Sequence, residues 1–186
     1  MKQVISFCLY KAPSDWEKIM ETNHNKYISG LYQNINLIQK YYPNWHIYLY
    51  HNELFDISEI QKNIDYDKLE FKLITNPLIS AMQWRFLPND DDDVELFIVR
   101  DIDSRITERE KVSVDEWVES EKILHIMRDH PHHGYHILGG MWGMRRQPNF
   151  NMESSCIEYN TSKNYRVDVD WYEKWWDMHF LRDIIY

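Results

Sequence analysis

Short apolar runs alternate with longer stretches in which apolar residues recur every three or four positions. Val4 to Tyr10 is one such run, broken by Lys11-Ala12-Pro13-Ser14-Asp15, and it reads as a buried first strand. From Asn25 a helix is predicted, because Ile28, Leu31, Tyr32, Ile35, Ile38 and Tyr42 share one helical face until Pro43 stops it. His46 to Tyr50 and Glu70 to Ile74 read as the second and third strands, with a weak helix around Ile57 to Ile64 between them. Pro77 to Leu87 reads as a short helix closed by Pro88. Val94 to Val99 is the most strand-like segment and runs straight into Arg100-Asp101-Ile102-Asp103.

Thr107-Glu108-Arg109-Glu110 is a capping-box pattern and predicts a helix to about Ser120. Ile123 to Met127 reads as a further strand, Asp129 to Tyr135 as a His-rich loop, and Ile137 to Trp142 as an apolar strand interrupted by Gly139-Gly140. Pro148 to Asn164 reads as a polar loop and Val169 to Tyr186 as a closing helix. Strands that alternate with helices in this order predict a single α/β domain over residues 1–186, with a mixed, mostly parallel, Rossmann-like sheet flanked by helices. In such sheets ligands bind beyond the carboxyl ends of the strands, which here means Tyr10, Asn52, Thr75 and Asp101.

Composition narrows the class. With 44% hydrophobic residues the 186-residue chain can build a substantial core. A net charge of −9 argues against a nucleic-acid partner, which would need clustered Lys and Arg. It leaves room for a nucleotide bridged to an acidic site by a cation. Cys8 and Cys156 read as free thiols of a reducing compartment. No apolar segment reaches the length of a membrane span or a secretion signal, so the chain is expected to be soluble and cytoplasmic.

The Asp-x-Asp spacing occurs five times, at Asp65/Asp67, Asp90/Asp92, Asp91/Asp93, Asp101/Asp103 and Asp168/Asp170. Position separates them, since only Asp101 and Asp103 follow a buried strand directly. Two hard carboxylates there suit Mn2+ or Mg2+, with phosphate oxygens completing the shell. The bland alternative is a set of ion pairs among Arg100, Asp101, Asp103 and Arg105. The run Asp90 to Asp93 reads as a solvated charge run. His125, His130, His132, His133 and His136 lack zinc-ligand spacing. Asp129, after the fifth predicted strand, is a candidate general base, with an ion pair to Arg128 as the alternative. Gly139-Gly140 suggests close backbone approach to a ligand.

Several strings, taken together, resemble one family. They are Phe7-Cys8-Leu9-Tyr10, Tyr42-Pro43-Asn44-Trp45, Trp84-Arg85-Phe86-Leu87-Pro88, Val99-Arg100-Asp101-Ile102-Asp103-Ser104-Arg105, Glu116-Trp117, Met127-Arg128-Asp129-His130-Pro131 and Ile137-Leu138-Gly139-Gly140-Met141-Trp142-Gly143. In this order, over nearly the whole chain, they resemble the small GT-A-type glycosyltransferase domains of the nucleotide-diphospho-sugar transferase superfamily. Such domains occur in large DNA viruses, including those of algae, and in bacteria; for a viral chain the compartment would be the host cytoplasm.

The resemblance implies a GT-A fold and hexosyltransferase-like transfer from a nucleotide-sugar donor, in particular a UDP-sugar, to a glycan or other hydroxyl acceptor. It implies Mn2+ or Mg2+ at Asp101 and Asp103, with Asp101 also at the ribose. Leu9 and Tyr10 would contact the base, and Arg85 would lie near the ribose or diphosphate. Arg100 would belong to the same donor site, and Asp129 and Gly139-Gly140 would lie near the sugar and acceptor. Asp129 would deprotonate the acceptor, with Asp177 as substitute.

One departure stands out. Asp177-Met178-His179-Phe180-Leu181 resembles a family segment in which Gln takes the place of Met178, and which is followed by a His-Asp pair whose His joins the metal. Here Tyr186 comes before any such pair, so either a C-terminal truncation or a shell completed by water and diphosphate is expected. Two other readings stay open. One is a nucleotide-sugar-binding module without turnover. The other is a haloacid-dehalogenase-type phosphohydrolase, whose Asp-x-Asp normally follows the first strand.

Overall fold

The computed structural model describes residues 1–10, 17–128, 130–163 and 175–186, with residues 17–25 as helical backbone alone. In chain order the elements are β1 (Lys2–Leu9), α1 (Glu17–Tyr41), β2 (His46–His51), α2 (Ser58–Asn63), β3 (Leu69–Leu73), a 3-10 segment (Trp84–Asp90) and β4 (Val94–Arg100). They continue with α3 (Glu108–Ser120), β5 (Leu124–Ile126), β6 (Met141–Arg145), α4 (Met152–Ser162), α5 (Trp176–Phe180) and a π-helical turn (Leu181–Ile185).

The strands form one sheet in the order β3-β2-β1-β4-β6-β5. β1, β2, β3 and β4 are parallel, while β6 runs antiparallel to both β4 and β5. The chain is therefore α/β with a mixed, mostly parallel sheet. From β1 the strands step outward to β3 and then return to place β4 on β1's other side. That reversal opens a crevice beyond the carboxyl ends of β1 and β4, the usual ligand position in such sheets.

Strict alternation explains why both faces are covered. Ile5, Phe7 and Leu9 of β1, Ile47 and Leu49 of β2, and Leu96 and Ile98 of β4 face a core shared with Leu31, Ile35 and Ile38 of α1 and Val114 and Trp117 of α3. Val4, Tyr48, Tyr50, Phe97 and Val99 face the opposite core, with Trp84, Phe86, Trp142, Tyr159 and Phe180. Side chains that alternate across a strand and are apolar on both sides require cover on both sides.

Several expectations need correcting. Pro77 to Leu87 is not a helix ended by Pro88. The segment 77–83 consists of turns, and Pro88 lies inside the 3-10 segment, where its fixed φ is compatible with the tight turn. Pro148 to Asn164 is not all loop. α4 begins after Asn151, whose side chain accepts from Ser154 N, and Asp90 accepts from the backbone of Met152 and Glu153 at 2.7 Å each. The Asn151 cap is local, but the Asp90 bonds come from 62 and 63 residues upstream and leave no local pattern.

The aspartate run is accordingly only partly solvated: Asp90 and Asp91 join elements of the fold, while Asp92 and Asp93 are exposed. Asp91 accepts from the Tyr48 hydroxyl and Asp92 pairs with Arg146, though Asp92 itself is exposed. The strand expected at Ile137 to Trp142 starts later, at Met141, so Gly139-Gly140 lead into it. Of the closing helix, residues 169–174 lie outside the described residues; the remainder is α5 and the π-helical turn. Among the described residues no helix is long and apolar enough to cross a membrane.

Candidate functional site

Residues from five parts of the chain meet at the β1/β4 crevice. Asp101 leaves the end of β4, and the Ser104 N–H bonds back to its carbonyl at 3.1 Å, closing a turn around Ile102 and Asp103. Ile102 and Ile106 are buried and pin that turn to the core below α1. The carboxylates of Asp101 and Asp103 stay at the surface, with side chains 45% and 30% exposed.

Arg85, from the 3-10 segment, is the hub. Its Nη1 donates to Asp101 Oδ1 and its Nη2 to Asp177 Oδ2 at 2.9 Å. Its Nε donates to the Met82 carbonyl at 3.2 Å. Asp177, on α5, is buried, and its Oδ1 accepts from Met178 N at 2.9 Å. Asn160 holds α5 in place by accepting from the Trp176 indole at 2.8 Å and donating to Gln83 at 2.9 Å.

The two carboxylates on Arg85 differ electrostatically. Burial alone would raise Asp101, but the charge and hydrogen bond of Arg85 outweigh it and hold its pKa below the usual carboxylate value. For Asp177 burial wins over Arg85, and the nearby Asp101 adds to it, so its pKa is raised. Arg85 thus favours the charged form of Asp101 more effectively than that of Asp177. Beneath Arg85, burial pushes the Cys8 thiol up to about 11. Tyr10 packs edge-on to Trp84 at 5.8 Å, and its hydroxyl is raised chiefly by burial.

Gly139 and Gly140 form the opposite wall. A Cβ on Gly139 would lie 2.0 Å from Asp177 Oδ2, and one on Gly140 would lie 2.3 Å from Asp101 Cγ. The close approach expected here is real, but what the glycines meet in the fold is the site's own carboxylates.

Other expected site residues have different placements. Leu9 is buried in the core under α1, so its side chain does not face the crevice. Arg100 is also buried: its guanidinium donates to Gly140 O at 3.0 Å and to Glu110 Oε2 at 2.6 Å. The end of β4 is where side chains alternate inward, and Arg100 turns to the core face while Asp101 emerges. The ion pairs weighed among Arg100, Asp101, Asp103 and Arg105 therefore form with other partners, namely Glu110, Arg85 and Lys26, while Arg105 donates to Gln33. Asp129 lies outside the described residues. Among the described residues no group of three or more His, Cys, Asp or Glu side chains is arranged to hold a metal.

His125, on β5, stacks on Trp117 with ring centroids 5.4 Å apart. Burial, aided by the charge of Arg100, lowers its pKa to about 4. In the unfolded chain the imidazole protonates near pH 6.5, so between those values the unfolded state binds more protons. Stability is expected to fall as pH drops from 6.5 towards 4, with His125 accounting for up to about 3 kcal/mol. Denaturant unfolding of wild type and His125→Gln at pH 7 and 4.5 measures this as the difference in their pH slopes. Equal slopes would refute it.

Sequence reasoning missed Lys26, Gly30, Gln33, Asn34, Glu110 and Asn160. Asn34 offered a faint signal, a polar residue between Leu31, Ile35 and Ile38 on the apolar face of α1. No protein-family model and no curated protein sequence matches the chain.

Proposed function

We propose that the chain is a glycosyltransferase with a GT-A-like fold that binds a UDP-sugar at the β1/β4 crevice and transfers its sugar to an acceptor hydroxyl. The observation that carries this reading is the Asp101–Ser104 turn. It sets two partly exposed carboxylates at the switch point of a mostly parallel sheet, beside a buried arginine. The sequence resemblance supports the same reading.

The donor set fits a metal shared with a ligand. Asp101 and Asp103 supply hard oxygens, and each uses one carboxylate oxygen on a basic side chain, Arg85 and Lys26 respectively. Mg2+ and Mn2+ are held in this way by one or two carboxylates, with phosphates and water filling the rest. When bound, Mn2+ or Mg2+ neutralises the charge that develops on the leaving diphosphate. Arg85, fixed between two carboxylates, is positioned to add to that field without reorganising. Tyr10, partly exposed and backed by the buried Trp84, offers aromatic surface at the end of β1, suited to a base.

Asp177 holds Arg85 with one oxygen and the Met178 N–H with the other. That fits a positioning role better than proton abstraction, which leaves Asp129 as the proposed base. The chain leaves β5, three residues before position 129, on the same sheet edge as β4. The phosphohydrolase reading loses support, because its motif belongs after a first strand and here the turn follows β4.

Calorimetric titration of UDP with and without Mn2+ tests the proposal. The expected result is Mn2+-dependent binding that Asp101→Asn abolishes, together with slow donor hydrolysis. A protein that binds UDP with Mn2+ and never turns over a panel of UDP-sugars is the binding module instead. Lack of UDP affinity under both conditions would remove the nucleotide-sugar reading altogether.

A further inference from the structure

The acidic turn rests on one face of α1. Lys26, Gly30, Gln33 and Asn34 fall at positions i, i+4, i+7 and i+8, so they form a single stripe along the helix. Lys26 Nζ pairs with Asp103 Oδ2 at 2.6 Å. The Gln33 side chain accepts from Arg105 Nε. At Gly30 the turn presses directly on the helix, since a Cβ there would lie 2.4 Å from the Ile102 carbonyl oxygen.

Asn34 is the centre of the stripe. It is fully buried, and both ends of its amide are used on the turn. Nδ2 donates to Ile102 O at 3.0 Å and to Ser104 O at 2.8 Å, and Oδ1 accepts from Ile106 N at 3.2 Å. The first two bonds hold the carbonyls of the residues on either side of Asp103, and the third fixes the exit of the turn. Ile102 and Ile106 alone could anchor the loop in the core, but apolar contacts are non-directional. A buried side-chain amide with both N–H groups and its oxygen engaged adds the direction in which Asp103 leaves the backbone.

We propose that this face of α1 is the seat of the acidic turn, and that Asn34 is a positioning residue which sets Asp103 for cation and diphosphate binding. The ligand half of the proposal rests on the nucleotide-sugar reading above; the seat itself does not. In the fold, Lys26 supplies the countercharge of Asp103. The stripe therefore handles the carboxylate and its backbone from the same helix.

Two measurements test it. The first needs no ligand. Hydrogen exchange of Asn34→Leu is expected to speed at least tenfold at the Ile106 amide, which loses its acceptor, while the amides of β4 keep wild-type rates. Unchanged exchange at Ile106 overturns the seat.

The second is a double-mutant cycle on Mn2+-dependent UDP affinity with Asn34→Leu and Asp103→Asn. Each single variant is expected to lose about tenfold or more, and the double variant to be no weaker than Asp103→Asn alone. Losses that simply multiply show that Asn34 does not act through Asp103. If Asn34→Leu fails to fold, Gln33→Ala takes its place in the cycle, with a few-fold loss expected that vanishes in the Asp103→Asn background. Wild-type protein without Mn2+-dependent UDP binding, but with fast local exchange in Asn34→Leu, overturns the nucleotide-sugar reading and leaves the seat standing.

Discussion

Replacing Arg85 by methionine is expected to lower the unfolding free energy by about 3–5 kcal/mol and to abolish UDP binding. The guanidinium is buried and bridges Asp101 to Asp177, so its removal leaves one buried carboxylate with no countercharge and a second beside it. A buried charge whose partner is deleted is among the costliest single changes, because its solvation is not restored. Asp177 bears most of this, since it is buried while Asp101 is about half exposed. It can limit the loss by taking up a proton, and its raised pKa already leans that way. The double variant Arg85→Met with Asp177→Asn should therefore recover roughly 1–3 kcal/mol relative to the sum of the single changes. Urea unfolding with an unchanged slope supplies the measurement. A single-variant loss below about 1 kcal/mol would mean that the bridge is not the hub described.

The second large effect is expected at Gly140. Gly140→Ala places a Cβ 2.3 Å from both Cγ and Oδ2 of Asp101, far inside van der Waals contact. Neither side yields easily. The Gly140 carbonyl is held by Arg100 at 3.0 Å, and the next residue, Met141, pairs with Arg100 in the sheet. Asp101 is held in turn by Arg85. Relief requires Asp101 to leave Arg85, or β6 to shift from β4. The expected outcome is a loss of about 1–3 kcal/mol in stability, as for other overpacked sites, and at least a hundredfold loss of Mn2+-dependent UDP affinity. Gly134→Ala is the control, because a Cβ there meets nothing within 4 Å. Thermal unfolding and UDP titration of the two variants side by side give the comparison. If Gly140→Ala tracked the control in both, Asp101 would not be confined as described.

The parts of this molecule that were legible in sequence share a property: their causes are local. The strand at Val94–Arg100 holds the apolar run Leu96 to Val99, α1 shows a three-and-four spacing, and Thr107 caps α3 by accepting from Glu110 N. Asp101 stood out because it follows such a run. The parts that were not legible have distant causes. α4 owes its start partly to Asp90, and the expected loop at Pro148 to Asn164 hid it for that reason. Arg100 reads like a donor-site residue until Glu110 is seen to claim it. Nothing near Asp177 in the sequence points to Arg85 as its partner, and Asn34 looks like a flaw in an apolar stripe until the turn is laid against it. Spacing along a chain reports neighbours at i±2 to i±4, and these pairs lie 10 to 92 residues apart.

That separation has a consequence for how the molecule is made. Arg85 is synthesised 92 residues before the carboxylate that completes its bridge. Phe180, which stacks on Phe86 at 6.1 Å and closes one side of the core, comes later still. Closing such long loops is entropically slow compared with forming helices and neighbouring contacts. Until residues 176–181 have left the ribosome, the sheet can pair, but Phe86 lacks the ring of Phe180 and Arg85 lacks the carboxylate of Asp177. The crevice is thus finished only after the strands that frame it, and a chaperone or protease meeting the nascent chain would find the Phe86 ring and the Arg85 guanidinium before their distant partners do.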